Sequence, residues 1–302
     1  MTPPASASDT KPIRARVIAT FGRQSLIDHA GRILQATRRG KRGDVVVGDW
    51  IIASTVPLDQ ARIESIEPRT TLLFRAQSYR VKELAANIDQ VAIVFAARPA
   101  FNRWFIWKSL VAAEAAGIEP LIVRNKIDLA DGDDAREFLR QCSDLGWRTL
   151  SMSAKLDTEK SRALLMREIG GRRSLLVGQS GMGKSTLLNL MIPDAAARTQ
   201  EYSQRLNVGK QTTTASRWFS LGDDGALIDT PGFQEFGLSH LTANQIAATF
   251  PEFRELLGHC RFLDCRHVEE PDCAIRAALE NGTLAPERYK FYRSLAAASA
   301  NT

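Results

Sequence analysis

Ser174-Leu175-Leu176-Val177-Gly178-Gln179-Ser180-Gly181-Met182-Gly183-Lys184-Ser185 decides the reading of this chain. The apolar run Ser174–Val177 predicts a strand, and Ser185–Met191 predicts a helix. Gly178 to Ser185 between them fits G-x-x-x-x-G-K-[ST], the phosphate loop, in the strand–loop–helix context that gives the motif meaning. Its glycines let backbone N–H groups converge on phosphates, and the helix N-terminus adds partial positive charge. Lys184 can neutralise β and γ oxygens, and Ser185 can place its hydroxyl on Mg²⁺. The candidate nucleotide-binding residues here are Gly178, Gln179, Ser180, Gly181, Met182, Gly183, Lys184, Ser185 and Thr186. A purely structural glycine turn is the alternative.

Upstream, apolar runs alternate with helical stretches. Val91–Phe95, Leu121–Val123 and Arg148–Met152 predict strands; Arg103–Ala116 and Asp133–Leu145 predict helices. Downstream, Gly225–Ile228 predicts another strand. Continuous apolar strands separated by helices indicate a parallel, doubly wound α/β sheet covered on both faces. Ligands in such sheets bind at the carboxyl ends of the strands.

Two of those ends carry base-reading candidates. Asn125-Lys126-Ile127-Asp128 follows one strand and has the N-K-x-D form. The Asp carboxylate can accept from guanine N1–H and its exocyclic amine, the Asn can brace neighbouring loops, and the Lys stem can pack over the ring. Adenine would set lone pairs against that carboxylate, at a cost of about 1–3 kcal/mol. Ser153-Ala154-Lys155 follows the next strand and can offer a backbone N–H to guanine O6. Asp229-Thr230-Pro231-Gly232 follows the strand Ala226–Ile228; Asp229 can hold Mg²⁺ through water and the Gly232 N–H can sense a γ-phosphate. Thr212-Thr213-Thr214 lies where a Mg²⁺-binding switch threonine belongs.

The order of these motifs is unusual. N-K-x-D (125), S-A-K (153), phosphate loop (178), threonines (213) and D-T-P-G (229) keep the cyclic order of G proteins but start at a different point. Three-dimensional contacts can survive such a permutation, because domain termini usually lie close together. The consequence is mechanical: both switches now sit at the end of the GTPase domain, joined directly to the C-terminal region.

Charge is unevenly placed. The 302 residues carry net +6, and residues 1–75 hold 12 Lys/Arg against seven Asp/Glu. Short β-rich pieces in that region (Ile13–Thr20, Val45–Val47, Trp50–Ala53, Arg62–Ile66) predict a small barrel of OB type. Arg38-Arg39-Gly40-Lys41-Arg42-Gly43 should be a loop between strands, suited to phosphates or simply solvated. Residues 1–12 read as a disordered tail with no secretory signal, and no apolar run approaches a membrane span. A cytoplasmic protein is the expectation.

After Gly237 the strands stop, and Leu241–Phe250, Cys273–Asn281 and Pro286–Ala298 predict helices. Cys260, Cys265, His267 and Cys273 have the spacing C-x4-C-x-H-x5-C, which suits a closed tetrahedral Zn²⁺ site of structural type. Disulfides compete with that reading, but three cysteines and a nearby histidine disfavour them. Cys142 is expected in the core of a helix, and His259 would be a surplus fifth ligand.

Taken together, these features resemble the RsgA (YjeQ) family of ribosome-small-subunit-dependent GTPases. Further matching stretches are Val47-Gly48-Asp49-Trp50, Asn87-Ile88-Asp89, Leu227–Leu238, Phe250-Pro251-Glu252-Phe253 and Arg288-Tyr289. The resemblance implies a circularly permuted P-loop GTPase (76–239), flanked by an OB-fold barrel (13–75) and a helical zinc-binding domain (240–302). It implies a factor that binds the 30S subunit and its 16S rRNA late in maturation, hydrolyses GTP faster there, and then leaves; a monomer is the default expectation for a factor that docks on a large particle. It makes Thr213 the Mg²⁺ threonine beside Ser185 and Asp229, with Thr212 and Thr214 as alternatives, and assigns Lys184, Thr213 and Gly232 to catalysis.

Two positions depart from the family pattern. Gln211 stands where the family switch often has His, and Phe233 stands where many G proteins keep a water-orienting Gln. An apolar ring cannot orient water, so intrinsic hydrolysis should be slow. Gln234, His259 or the ribosome are the candidates for the missing group. A regulatory GTPase with a protein partner is the competing function. A DNA-reading zinc module is a third, disfavoured by the −1 net charge of residues 240–302.

Overall fold

The computed structural model describes residues 12–22, 24–38, 45–57, 59–77, 80–129, 133–205, 216–222, 224–231 and 233–299. Strands β1 (Pro12–Phe21), β2 (Gln24–His29), β3 (Arg32–Arg38), β4 (Trp50–Val56) and β5 (Gln60–Ile66) close a barrel in the order β1-β2-β3-β5-β4-β1. Only the β3–β5 pairing is parallel. Its small core alternates along the strands: Ala15, Val17, Ile27, Leu34, Ala36, Ile51, Ala53, Ala61 and Ile63. A register shift between Val17 and Ala19 then turns β1 outward, so that Ile18 and Ala19 join a second, larger core. The basic segment expected as a loop lies, beyond Arg38, outside the described residues.

A hairpin of β6 (Leu72–Gln77) and β7 (Arg80–Ala86) follows the barrel and runs across residue 75. The nucleotide-binding region then builds β8 (Gln90–Phe95), α1 (Arg103–Ala115), β9 (Glu119–Arg124), α2 (Asp134–Asp144), β10 (Arg148–Ser151), α3 (Thr158–Ile169), β11 (Arg173–Val177), α4 (Lys184–Met191), α5 (Ala195–Arg205), β12 (Arg217–Gly222) and β13 (Gly225–Asp229). Its sheet order is β10-β9-β8-β11-β13-β12, parallel except for β12. All six residues of β8 are buried, which is why Val91–Phe95 is a continuous apolar run. Asn102 starts α1 by accepting from the Trp104 and Phe105 N–H groups.

The barrel and the parallel sheet are continuous. Ala19 of β1 pairs with Arg217 of β12, so one sheet runs through both. Around that seam, buried Asp49 accepts from Arg69 Nε at 2.7 Å and from the Val46 N–H at 2.9 Å. Buried Asn87 donates to the Gly48 carbonyl at 2.9 Å. Gly48 has φ +91°, and a Cβ there would fall 2.0 Å from the Ala86 oxygen, so only glycine fits.

The C-terminal part is helical: α6 (Ala243–Ala248), a single 3₁₀ turn at Pro251–Phe253, α7 (Ala274–Glu280) and α8 (Pro286–Ser299). Thr242 and Gln245 form a reciprocal cap that starts α6. These helices dock on α1 through rings: Phe291 lies 5.3 Å from Trp104 and 5.4 Å from Trp107. Arg288 sits 5.0 Å from the Trp107 ring and 4.6 Å from Phe250, and it donates to Glu252. No helix among the described residues is long and apolar enough to cross a membrane.

Candidate nucleotide site and metal cluster

The motif residues converge at one edge of the sheet. Asn125 follows β9, Ser153 follows β10, Gly178 follows β11, and Asp229 ends β13, all at carboxyl ends of parallel strands. Asn125 joins three of these loops. Its backbone N–H donates to Phe95 O at 2.8 Å, its side-chain NH₂ donates to Met182 O at 3.1 Å, and its Oδ1 accepts from the Ala154 N–H at 3.1 Å. Gly183 has φ +95°, and a Cβ there would meet Asn125 Nδ2 at 2.3 Å. Glycine is therefore required for the phosphate loop to approach the base-reading loop this closely.

A pocket of about 140 Å³ opens beside this junction, lined by Asn125, Lys126, Asp128, Ser153, Ala154, Lys155, Gly183 and Thr186. The Ser153 hydroxyl donates to the Asp128 carboxylate and accepts from the Leu156 N–H, which fixes the carboxylate's direction. Lys126 Nζ donates to Gly181 O at 2.5 Å and Arg98 O at 3.1 Å, laying its stem across the pocket wall. The arrangement presents a carboxylate acceptor and backbone donors to one planar ligand.

Lys184 Nζ donates to the Gly178 and Gln179 carbonyls at 2.6 and 2.9 Å. Burial lowers its pKa, and the charge of Asp229 opposes that shift. Burial likewise pushes the Asp229 carboxyl up, while Arg217 and Lys184 pull it back. Arg217 is a group that motif reading missed. It stands directly opposite Asp229 across the β12–β13 pair, and a count outward from the hairpin turn would have found it. Thr230 Oγ1 is buried without a hydrogen-bond partner among the described residues. Ser180 and Ser185 lie in the loop and at the start of α4. Thr213 and Gly232 lie outside the described residues, as do Thr212, Thr214 and Gln211.

Phe233 packs against Phe236 at 4.7 Å and Phe105 of α1 at 6.4 Å. It is thus a packing residue. The segment after it is held by β6: the Gly237 N–H donates to Phe74 O at 2.9 Å, and the Ala76 N–H donates to Glu235 O at 3.2 Å. Glu235 also pairs with Lys108 of α1 at 2.9 Å. The sequence places the D-T-P-G segment next to the C-terminal helices along the chain. In space the residues just after it, Phe233 and Glu235, also touch α1, on which those helices dock. Gln234 and His259 are exposed.

Cys260, Cys265, His267 and Cys273 bring their donor atoms within 4.8 Å of one another. Cys260 Sγ and Cys273 Sγ each lie 3.4 Å from His267 Nδ1, and 3.9 Å from each other. These are the edges expected of a tetrahedron with metal–ligand lengths near ~2.0–2.3 Å, so the four residues can hold a metal ion. All four cysteines, Cys142 included, are free thiols. Tyr289 and Tyr292 donate to the His267 and Arg266 carbonyls, and Glu270 accepts from three backbone N–H groups of the same loop. Those N–H groups outweigh its partial burial and hold the Glu270 carboxyl down, at about 2.

The RsgA GTPase family model matches residues 66–239. The chain belongs to the RsgA GTPase family. A relative from Paraburkholderia phytofirmans named small ribosomal subunit biogenesis GTPase RsgA is 45% identical over 97% of this chain and 95% of its own length. One of the same name from Burkholderia pseudomallei is 46% identical over 93% and 91%. Among solved structures, YjeQ from Thermotoga maritima is similar at TM-score 0.73, with 27% identity over 97% of this chain and all of that one. YloQ, described as a circularly permuted GTPase, shares the fold at TM-score 0.69 and 23% identity, over 98% of each chain. The RsgA fold expected from the motifs is therefore present: a permuted GTPase sheet, a five-stranded OB-like barrel before it and a Cys₃His helical region after it.

Proposed function

We propose that this chain hydrolyses GTP to GDP and phosphate while bound to the 30S ribosomal subunit, late in the maturation of that subunit. One observation carries the reading. Asn125 ties the base-reading loop, the S-A-K loop and the phosphate loop into one pocket despite their permuted order. The names of the two curated relatives support the setting.

In this reading, Asp128 and the backbone of Ser153, Ala154 and Lys155 select guanine. The N–H groups from Gly178 to Thr186 and the Lys184 ammonium hold the phosphates, and Gln179 ties the loop to α1 by accepting from the Asn102 N–H. Ser185, Asp229 and Thr213 would hold Mg²⁺, which neutralises charge on the β and γ phosphates. Its fit rests on Asp229, a half-buried carboxyl beside two cations, whose desolvation a divalent ion would relieve. The Gly232 N–H would meet the γ-phosphate. Phe233 brings no polar atom to the attacking water, so intrinsic turnover is slow and the subunit supplies or positions the missing group.

We assign three tasks along the chain. Residues 13–75 contact 16S rRNA through their basic surface, residues 76–239 time the contact, and residues 240–302 form a zinc-stabilised docking element, with the β6–β7 hairpin spanning the first boundary. Zn²⁺ is the ion that three thiolates and one imidazole favour. The factor acts in the cytoplasm as a monomer.

Two experiments test this. Asp128→Asn should weaken GTP binding at least tenfold and favour xanthine nucleotides; unchanged GTP affinity would overturn the base assignment. Co-sedimentation with purified 30S subunits should be strong with a non-hydrolysable GTP analogue and weak with GDP. Equal sedimentation in both would overturn the timing role.

A further inference from the structure

At the seam between barrel and GTPase sheet lies a cleft of about 440 Å³ that shares no lining residue with the nucleotide pocket. Its central feature is Arg16. The guanidinium stacks between two indoles, 4.0 Å from the Trp50 ring and 4.5 Å from the Trp218 ring. Among the described residues it has no hydrogen-bond or ion-pair partner, and Nη1 is buried outright. Leaving a buried donor unmatched is unfavourable. Burial, with the nearby charge of Arg173, lowers its pKa to about 10. By contrast, neighbouring Arg14 stacks on Trp50 at 3.9 Å and is fully paired with Glu67.

The cleft is not simply basic. Asp28 and Asp224 also line it. Asp28 accepts from the Gly31 N–H, while exposed Asp224 on the β12–β13 turn has no such bond among the described residues. A bare phosphate would face those carboxylates. A planar ligand with both acceptors and donors would match the polar groups of the cleft: Arg N–H groups for its acceptors, carboxylates for its donors.

We propose that this cleft receives an unpaired guanine of single-stranded RNA, with Arg16 reading the O6/N7 edge and Asp224 accepting from the N1–H/N2–H₂ edge. The two tryptophans hold the Arg16 guanidinium between them, so one sheet carries the GTP pocket at its carboxyl edge and an RNA base pocket where β1 meets β12. The choice of RNA rests on the ribosomal reading above; the guanine preference rests on the cleft alone.

The test is a binding titration of the full chain with a uridine 12-mer and the same 12-mer bearing one central guanosine. Saturating GDP keeps the nucleotide pocket filled. The guanosine strand should bind about fivefold to tenfold more tightly, the range of a good base-edge contact. Arg16→Gln should abolish that preference while leaving GTP turnover without subunits unchanged. Asp224→Asn, at an exposed turn with φ +62° that Asn adopts readily, should reduce the preference without affecting folding. In the unmodified protein, amides 28–31 and 218–222 should gain hydrogen-exchange protection with the guanosine strand only. Equal binding of the two strands, or a preference that survives Arg16→Gln, would overturn the proposal. If the preference is missing while 30S subunits still stimulate GTP turnover, only this inference falls. If stimulation is missing, the ribosomal reading falls with it.

Discussion

The two flanking regions grip the nucleotide-binding sheet in different ways. The barrel joins through backbone and polar groups: the β1–β12 pairing, Arg69 with Glu83 of β7, and Asn87 on the Gly48 carbonyl. The C-terminal helices join through side chains. Rings of Trp104, Trp107, Phe250 and Phe291 meet around Arg288, with rim ion pairs such as Arg254–Glu114. A shared sheet cannot slide by a fraction of a residue, because every pairing changes at once. A ring-packed seam can open as a unit and close again. The barrel is thus built as a fixed extension of the GTPase, and the C-terminal region as a separable one. The charges show the same division, with the basic excess on the fixed side.

Metal removal should separate the two seams most strongly. Structural zinc in small domains supplies about 10–16 kcal/mol of apparent binding free energy, and the apo cluster leaves buried thiols without a cation. A chelator should expose residues 240–299 to limited proteolysis while GTP affinity and the barrel persist. Continued protection of the C-terminal helices would show that the cluster does not hold them together.

Phe291→Ala attacks the same seam from inside. Phe291 is 1% exposed, and truncating a buried Phe costs about 3–5 kcal/mol. Urea unfolding followed by intrinsic tryptophan emission should split, with the C-terminal helices leaving before the sheet. A single cooperative step shifted as a whole would contradict the separable seam.

Asp49→Asn tests the opposite seam through Arg69, which Asp49 holds beside Glu83 of β7. Arg69 would keep Glu83 at 2.9 Å, so the loss should be about 2–3 kcal/mol, below that of stranding a buried cation. Here the transition should move to lower urea and stay single, because barrel and sheet unfold together. A separate barrel transition would break the comparison.

The smallest effect is expected at Lys108→Ala. The Lys108–Glu235 pair is partly exposed, and such pairs contribute about 0–1 kcal/mol. The melting temperature should barely move. A shift of several degrees would mean that the segment after Phe233 depends on α1 more than on the β6 hydrogen bonds.

The parts legible in the sequence share a property: their signal is local. The phosphate loop, N-K-x-D and the Cys/His spacing each lie within about 14 residues, and strand–helix alternation needs only short windows. The unread parts depend on pairing between distant segments. Nothing near Phe74 announces that the Gly237 N–H will bond its carbonyl, because those residues lie far apart in the chain. Helix α3 buries only Ser161, Leu165 and Ile169, so its periodicity is faint. Arg16 looks like any strand arginine until Trp50 and Trp218 close over it from two different domains. Phe233 was legible as the absence of a catalytic group, but its packing role needed Phe105 and Phe236 beside it.

The most direct measurement is GTP turnover by the intact chain with and without purified 30S subunits at fixed salt. The account predicts slow hydrolysis alone and at least tenfold stimulation by the subunit, lost in Lys184→Ala. Equal turnover in the presence and absence of subunits would contradict it.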